Sequence, residues 1–198
     1  MNVLKVVSIT TIFTLFLTAV LCGKTDAARL RASNSNFLDR MCAKTTYPQV
    51  CVSSLSPYIS TIQNSTVHLA RASVSVSVDT AQSALTLVTR LTSNTGLTPA
   101  EASAVRDCVP TMGDCVMVLQ KALDTMVTTE GKLAGDWMQM DNVKTWVSAA
   151  LTDENTCALG FTGGEKAAAK VLKKKVNDAM QRTSNALALL AMIGPGST

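Results

Sequence analysis

Four cysteines set on a helix-forming sequence constrain the fold of this chain more than any other feature. They are Cys42, Cys51, Cys108 and Cys157. The sequence around them is rich in Ala, Ser, Thr and Val, and it follows an N-terminal segment typical of an export signal. Exported chains fold in an oxidising compartment, where thiols pair. The sequence therefore predicts a small exported helical bundle locked by disulfides.

The N-terminal segment has the layout of a cleaved signal peptide. Lys5 precedes an apolar run from Val6 to Cys22 that carries no charged side chain, and small residues follow it. A membrane-spanning helix needs about 20 apolar residues, so this run favours a signal peptide over a membrane anchor. We expect residues 1–27 to be removed by cleavage after Ala27, although a cut nearer Cys22 also fits the pattern, and the mature chain then has no membrane partner.

The mature chain is long enough to form one domain with its own core. Over the whole sequence, 18 basic side chains against 14 acidic ones give a net charge of +4, which is too weak to indicate binding to nucleic acid. Five lysines do cluster between Lys166 and Lys175, but their spacing runs around a helix rather than along one stripe. We interpret them as a solvated helix end.

The helix that the sequence marks most clearly runs from Thr98 to Thr129. Thr98-Pro99-Ala100-Glu101 is a capping box with proline at the first helical position. Apolar residues then recur in alternating steps of three and four, as they do in the helices of a bundle. Pro110 interrupts this pattern, and we expect it to kink the helix. The recurring residues are Ala102, Val105, Val109, Met112, Val116, Leu119, Leu123 and Met126.

Three further segments show the same helical spacing. They cover residues 65–92, residues from about 140 to 150, and residues 164–194. Short loops separate the four segments, so the predicted fold class is all-α, with an up-and-down four-helix bundle over residues 63–198. We expect residues 28–198 to form a single domain.

Residues 28–62 differ from the bundle segments, because their apolar groups are short and are broken by prolines. We expect two or three short helices that form a hairpin in front of the bundle. Thr45-Thr46-Tyr47-Pro48 supplies the turn, since the residue before a proline avoids the helical region. Cys42 and Cys51 flank this turn, and pairing them would contribute about 2–3 kcal/mol.

The remaining cysteines leave one choice open. Cys108 and Cys115 lie seven residues apart on one helix, and therefore on one face, so they cannot easily pair with each other. Either of them can meet Cys157, which follows the third helix of the bundle. Spacing alone does not decide between the two. The cysteine left over is expected to be a free, buried thiol that packs as a small hydrophobic group.

Nothing in the sequence assembles a catalytic centre. The single histidine, His68, has no second ligand or nearby carboxylate, and the cysteines lack the spacing of a zinc site. Gly163-Gly164 is better explained as a helix boundary than as a phosphate-binding loop. We therefore expect a binding protein rather than an enzyme, with no metal and no cofactor. Asn64-Ser65-Thr66 is a glycosylation sequence, and we expect Asn64 to carry a glycan in an exported chain.

Several motifs together resemble those of a known family. They are Cys42-Ala43-Lys44-Thr45-Thr46-Tyr47-Pro48 leading to Cys51, Asp107-Cys108, Val143-Lys144-Thr145-Trp146-Val147-Ser148-Ala149-Ala150-Leu151-Thr152 leading to Thr156-Cys157 and Phe161, and Thr183-Ser184-Asn185-Ala186-Leu187-Ala188. On these residues the chain resembles the plant invertase and pectin methylesterase inhibitors over essentially its whole mature length. It is similar in particular to the members described as 21 kDa proteins.

The resemblance implies a four-helix bundle preceded by a helical hairpin. It also implies the disulfides Cys42–Cys51 and Cys108–Cys157, with Cys115 left as a free thiol. The corresponding function is that of a secreted, apoplastic inhibitor that forms a reversible, stoichiometric complex with a plant enzyme in the cell wall. For pectin methylesterase, such a complex would cover the pectin-binding cleft and so regulate the de-esterification of cell-wall pectin.

The resemblance also implies where this chain would contact its partner. The inhibitory face of the pectin methylesterase branch carries acidic side chains and a threonine, and Asp114 and Thr156 retain two of these positions. Three other acidic positions are occupied here by Pro110, Met117 and Leu159. The loss of these charges should weaken steering toward a basic rim and remove charged hydrogen bonds.

Two alternatives stand beside this hypothesis. One is an inhibitor of cell-wall or vacuolar acid invertase, the other branch of the family, although the Pro-Lys-Phe tripeptide that several of its members use does not occur in this sequence. The other is a secreted helical carrier or storage protein. Continuous heptad packing argues against the roomy cavity that such a carrier would need.

Overall fold

The computed structural model of the protein describes residues 29–128, 137–161 and 166–193. Every regular element in these ranges is helical, which confirms the predicted all-α fold class. The expected signal peptide, the glycine pair before the last helix and the glycine-rich stop after it lie outside the described residues. In chain order, the elements are α1 (residues 29–42), α2 (Pro48–Leu55), a 3₁₀ turn (Ser56–Tyr58), α3 (Ile59–Ile62), α4 (Thr66–Leu91), α5 (Pro99–Thr128), α6 (Trp137–Leu159) and α7 (Ala167–Ala191).

Helices α4 to α7 form the bundle, and each of them packs against two others. Helix α5 packs against α4 and α6, and α7 packs against the same two helices from the other side. The four helices therefore form a closed ring in which α5 and α7 occupy diagonal corners. The outer faces of α5 and α7 consequently lie on opposite sides of the bundle.

Helix α5 shows how the sequence pattern becomes a packed helix. Its seam residues Val105, Met112, Leu119 and Met126 are at most 1% exposed, as the periodicity predicts. The helix continues through Pro110, which is exposed to solvent. A proline leaves the carbonyl four residues earlier without its helical hydrogen bond. On the exposed side of a helix water can bind this carbonyl, so a proline destabilises the helix least there.

The predicted capping box at the start of α5 is confirmed. The Thr98 backbone N–H donates to Glu101 Oε2 at 2.8 Å, and the Glu101 backbone N–H donates to Thr98 Oγ1 at 3.2 Å. Glu101 Oε1 also accepts a hydrogen bond from the Lys166 backbone N–H at 3.1 Å. One carboxylate therefore fixes the beginning of α5 and the approach to α7, and these hydrogen bonds, led by that of Thr98, lower the pKa of Glu101.

The N-terminal hairpin is held both to itself and to the bundle. The disulfide between Cys42 and Cys51 joins the end of α1 to α2, with their Cα atoms 5.5 Å apart. Asn185, a buried residue of α7, accepts a hydrogen bond from the Tyr47 backbone N–H at 2.9 Å and donates one to the Tyr47 carbonyl at 2.9 Å. A single amide side chain thus satisfies both backbone groups of the turn residue and docks the hairpin on the last helix.

A second disulfide connects α5 with α6. It joins Cys108 to Cys157, whose Cα atoms lie 4.8 Å apart, while Cys115 is a free, fully buried thiol. These are the pairs that the family resemblance implies. Within the described ranges, no helix is long and apolar enough to cross a membrane, and no group of three or more His, Cys, Asp or Glu side chains is placed to hold a metal ion.

Candidate functional site

The candidate site is the outer face of the helix pair α5 and α6, which contains both of the partner-binding residues named from the sequence. The Cys108–Cys157 disulfide draws the two helices together at one end of this face. A shallow groove runs beside the disulfide, and Asp107, Thr111 and Thr156 are among its lining residues. Small side chains and Gly160 line the rest of it, so the helix backbones lie near the surface. A partner can therefore approach both helices closely.

Thr156 lies in the open part of this groove. Its side chain is exposed, and Oγ1 donates a hydrogen bond to the Thr152 carbonyl of its own helix at 2.8 Å. Thr111, across the groove on α5, donates in the same way to the Asp107 carbonyl at 2.9 Å. With their protons used within the helices, both hydroxyl oxygens keep lone pairs with which to accept hydrogen bonds from a partner.

Asp114 lies on the same face, about one helical turn beyond Thr111, and it has an acidic neighbour on α6. This neighbour is Asp153, whose pKa is raised first by partial burial and then by the negative charge of Asp114. In the part of the chain that the structure describes, neither carboxylate has an ion-pair partner. Asp153 and Thr156 are three residues apart on α6, a rise of about 4.5 Å. The structure therefore brings Asp114, Asp153 and Thr156 onto one continuous face.

The far end of this face contains an aromatic side chain covered by a cation. Lys121 of α5 places Nζ 4.3 Å from the centre of the Trp146 ring, and the tryptophan is half-buried between the helices. Such a contact is worth about 0.5–1 kcal/mol at an exposed site. Trp146 consequently packs within the helix pair, while the side chain of Trp137 lies outside the described residues.

Exposed apolar side chains flank the acidic part of the face. Met117 and Leu159 are 61% and 58% exposed, and Pro110 is also exposed. Single exposed apolar residues are normal on protein surfaces, so exposure alone does not mark these side chains as contacts. At all three positions where the resemblance implies an acid, this chain thus presents an apolar group to solvent.

A buried polar cluster lies beneath the face. Glu154 of α6 is fully buried, and its Oε1 accepts a hydrogen bond from Thr183 Oγ1 of α7 at 2.9 Å. Burial raises the pKa of Glu154 to about 8. Its Oε2 has no hydrogen-bond partner among the described residues, whereas the thiol of Cys115 lies close enough to interact with the carboxyl group. Burial, followed by the charge of Glu154, strongly raises the pKa of the Cys115 thiol, so this thiol is not a nucleophile.

Sequence reasoning named Asp114 and Thr156 but missed Asp153 and Glu154. Both acids stand in the segment between Thr152 and Thr156, so their position in the sequence was a usable signal. The sequence did not reveal that the two acidic side chains face different environments. Asp153 faces α5 near the surface, whereas Glu154, one residue on and about 100° around the helix, faces the core.

Asn64, the predicted glycosylation site, lies apart from this face, in the connection between α3 and α4. The residue is exposed and has a left-handed backbone conformation, with φ of 60°. Its Nδ2, the atom that a glycan would modify, donates to Ser33 Oγ at 3.3 Å. Hydrogen bonds to a serine at an exposed position are weak, so this contact does not prevent access to the nitrogen.

Comparison with known proteins gives a consistent result. The profile of the family described as plant invertase/pectin methylesterase inhibitor matches residues 36–189. "Pectinesterase inhibitor 11" from Arabidopsis thaliana is 38% identical over 200 residues, covering 90% of this chain and 94% of that protein. The "21 kDa protein" of Daucus carota is 37% identical over 173 residues, covering 83% and 86% of the two chains.

A solved structure shows that the fold is shared as well. The crystal structure of mutant form A of a pectin methylesterase inhibitor from Arabidopsis superposes with a TM-score of 0.62 at 18% identity. The match covers 77% of this chain and 93% of that one. At this level of identity the superposition supports the helical fold of the chain.

Proposed function

The chain belongs to the plant invertase/pectin methylesterase inhibitor family, and from this membership and the α5–α6 face we propose that it is a secreted inhibitor of plant pectin methylesterase. The family and its near relatives are inhibitor proteins rather than enzymes, and this chain is one of them. The relatives named above favour the pectin methylesterase branch over the invertase branch.

The observation that carries the proposal is the continuous face formed by Asp114, Asp153 and Thr156. Two carboxylates without ion-pair partners and a threonine with free lone pairs offer hydrogen-bond acceptors but few donors. Such a face complements a partner rim that supplies donors and positive charge. In the proposed complex, this face lies over the pectin-binding cleft of the esterase and denies the substrate access.

The complex that we propose is stoichiometric and reversible, and the described residues of this face include no exposed thiol for covalent attachment. The free thiol of the chain, Cys115, is fully buried beneath the face and is held in the protonated form. All of the affinity then comes from surface complementarity, with charged hydrogen bonds at Asp114 and Asp153 and apolar contacts at Met117 and Leu159. The apolar contacts should make binding less sensitive to salt than a wholly acidic face would be.

The proposal includes the place where the protein works. We propose that residues 1–27 direct export, that residues 28–198 form the mature inhibitor, and that it acts in the apoplast and cell wall. The two disulfides suit an oxidising compartment, and Asn64 is exposed for glycosylation.

The proposal is tested by titration of the oxidised mature chain against a plant pectin methylesterase and, in parallel, an acid invertase, with residual activity as the measurement. We expect saturating loss of esterase activity at equimolar protein. Loss of invertase activity alone would instead identify the other branch of the family. No effect on either enzyme, together with ligand-dependent melting, would point to the carrier alternative.

Two substitutions test the face itself. Asp114→Ala and Thr156→Ala should each raise the inhibition constant, by about tenfold for the charged residue and by a smaller factor for the neutral one, because charged hydrogen bonds are stronger. Asp39→Ala is the matched control, since Asp39 is an exposed aspartate on α1, away from the face. Equal constants for Asp114→Ala and for the control would show that the face does not bind the esterase.

A further inference from the structure

The first half of helix α7 presents a basic surface that the sequence interpretation did not anticipate. Lys166, Lys170 and Lys174 recur every four residues, and Lys173 lies one turn from Lys170. Residues with this spacing share one helix face, with about 5–6 Å between successive Cβ atoms. A shallow surface depression runs along this face, lined by Lys170, Lys173 and Lys174 together with other residues of α7. Lys166, Lys170, Lys173 and Lys174 therefore form a stripe, and Lys175, which also lines the depression, extends the basic surface about 100° further around the helix.

Lys166 is attracted to Glu101 and helps to lower the pKa of that carboxyl group, but the other positive charges of the stripe form no ion pair among the described residues. Among the described residues, ion pairs join Lys144 to Asp141 at 3.6 Å and Arg182 to Asp178, and none includes a lysine of the stripe. Asp178 is the only acidic residue that lines the depression, and Arg182 already holds it. The stripe is thus available to an external anion.

The position of the stripe is also unfavourable for the helix that carries it. Cations are destabilising near a helix N-terminus, because the partial charge there is positive. Like charges four residues apart add about 0.2–0.5 kcal/mol of repulsion per pair. Lys166 at the N-cap and Lys170 in the first turn of α7 combine both disadvantages, so helix stability does not account for this part of the arrangement.

The stripe lies on the side of the bundle opposite to α5. Helices α5 and α7 are at diagonal corners of the bundle, since each packs against α4 and α6. The solvent face of α7 consequently points away from the solvent face of α5. A molecule bound to the lysines therefore leaves Asp114 on α5 uncovered, while Thr156 lies on α6, the helix next to α7.

We propose that the lysine stripe of α7 binds polyuronate, the carboxylate polymer that a pectin methylesterase produces from its esterified substrate. This partner rests on the proposed function, which places the chain beside that enzyme. Ammonium groups are point charges without the rigid fork of arginine, and they suit single carboxylates repeated along a flexible chain better than a bidentate phosphate. Asn177 and Gln181 line the same depression and can form hydrogen bonds with sugar hydroxyl groups.

The proposed interaction depends on the state of the polymer. A methyl ester carries no charge, so the fully esterified polymer offers nothing to the lysines, and each ester hydrolysed adds one carboxylate that they can bind. The inhibitor would therefore accumulate where the esterase has already acted. It would be retained by the product of the enzyme that it inhibits.

The experiment measures binding of the oxidised mature chain to polygalacturonate and to a fully methyl-esterified galacturonan, without any esterase present. We expect binding to the acid polymer alone, and weaker binding as NaCl is raised from 50 to 200 mM, as for other polyelectrolytes bound by lysines. The double variant Lys170→Gln and Lys174→Gln should lose about tenfold in affinity and show a smaller salt dependence.

A matched control removes the same charge elsewhere. Lys44→Gln together with Lys144→Gln lowers the net charge equally but leaves α7 unchanged, and this variant should bind as the unmodified chain does. Equal binding to the two polymers, equal loss in the two double variants, or binding to sulfated heparin without binding to polygalacturonate would each overturn the proposal.

The same variants separate this inference from the proposed function. Lys170→Gln with Lys174→Gln should inhibit the esterase in solution as well as the unmodified chain does. A chain that binds polygalacturonate but does not inhibit refutes the proposed function, whereas one that inhibits but does not bind the polymer refutes only this inference.

Discussion

At the scale of single residues, Glu154 is an acidic side chain enclosed in the core. It is fully buried, it interacts with the hydroxyl group of Thr183 and the thiol of Cys115, and burial raises its pKa to about 8. A neutral carboxyl group in the core costs far less than a carboxylate there. Two other groups face the same cluster. They are the Cys115 thiol, whose pKa is also raised, and Asp153 on the adjacent position of α6, whose pKa is raised less.

These shifts predict how stability depends on pH. Between the unfolded pKa of glutamate, about 4.3, and the folded value of about 8, the native state binds a proton that the unfolded chain releases. The free energy of unfolding should therefore fall as the pH rises through this window, by at most about 1.4 kcal/mol per pH unit. The raised pKa of Asp153 also makes the free energy of unfolding fall as the pH rises. The lowered pKa of Glu101 has the opposite effect: its contribution to stability is present above the unfolded pKa of glutamate and is lost as the pH falls through the folded pKa.

Urea unfolding at pH 5, 6.5 and 8 measures this slope. Glu154→Gln keeps an acceptor for Thr183 but cannot ionise, so it should remove most of the loss between pH 5 and 8. Asp39→Asn, at an exposed position on α1, is the control and should retain the slope of the unmodified chain. Stability that stays level or rises with pH in the unmodified chain would contradict the role given to Glu154.

At the scale of elements, the disulfide between α5 and α6 is the main covalent constraint on the candidate face. It joins cysteines 49 residues apart, and the loss of unfolded-chain entropy for a loop of this length corresponds to about 4 kcal/mol. Replacement of Cys108 and Cys157 by Ala should lower the free energy of unfolding by 2–4 kcal/mol, within the range of about 2–5 kcal/mol for native disulfides. It should also weaken esterase inhibition, because the groove beside Thr156 would widen.

Chemical denaturation and residual esterase activity measure these two effects. The native Cys42–Cys51 disulfide closes a loop of only nine residues. The variant that replaces these two cysteines should therefore lose less stability than the one that replaces Cys108 and Cys157. Equal inhibition by both cysteine variants would show that the α5–α6 disulfide does not position the face.

The elements also show what the sequence can and cannot predict. The capping box at Thr98 and Glu101 depends on residues three apart, so it was fully predictable. Whether Cys157 pairs with Cys108 or with Cys115 depends on the axial position of α6 relative to α5, and both α5 cysteines are buried on the core side. Spacing within one helix holds no information about that register, and only the family resemblance decided it. The pairing of Asp114 with Asp153 was missed for the same reason.

At the scale of the whole molecule, the hairpin is held to the bundle by buried apolar side chains, among them Leu38, Leu55 and Ile62, and by a small number of polar contacts. Asn185 supplies two of them, to the backbone N–H and carbonyl of Tyr47. Asn185→Ala would leave the Tyr47 N–H without its partner, at a cost of about 1–3 kcal/mol, whereas the Tyr47 carbonyl would keep its hydrogen bond from the Cys51 backbone N–H at 2.9 Å. We expect faster amide hydrogen exchange in α1 and α2 than in the unmodified chain, with little change in α5.

Exchange measured by mass spectrometry tests this expectation. Ser184→Ala is a suitable control, because Ser184 is the neighbour of Asn185 and makes a single, longer hydrogen bond to Thr46 at 3.3 Å. Uniform acceleration across all helices would mean that Asn185 supports the whole fold rather than the docking of the hairpin.

The contact between Tyr47 and Asn185 spans 138 residues of sequence. A chain that emerges at 5–20 residues per second needs roughly 7–28 seconds to produce the second partner after the first. During this interval the hairpin has no helix α7 to rest on, and the short loop closed by Cys42 and Cys51 is the constraint it can acquire by itself. The first part of the domain to be synthesised is therefore among the last to be locked in place.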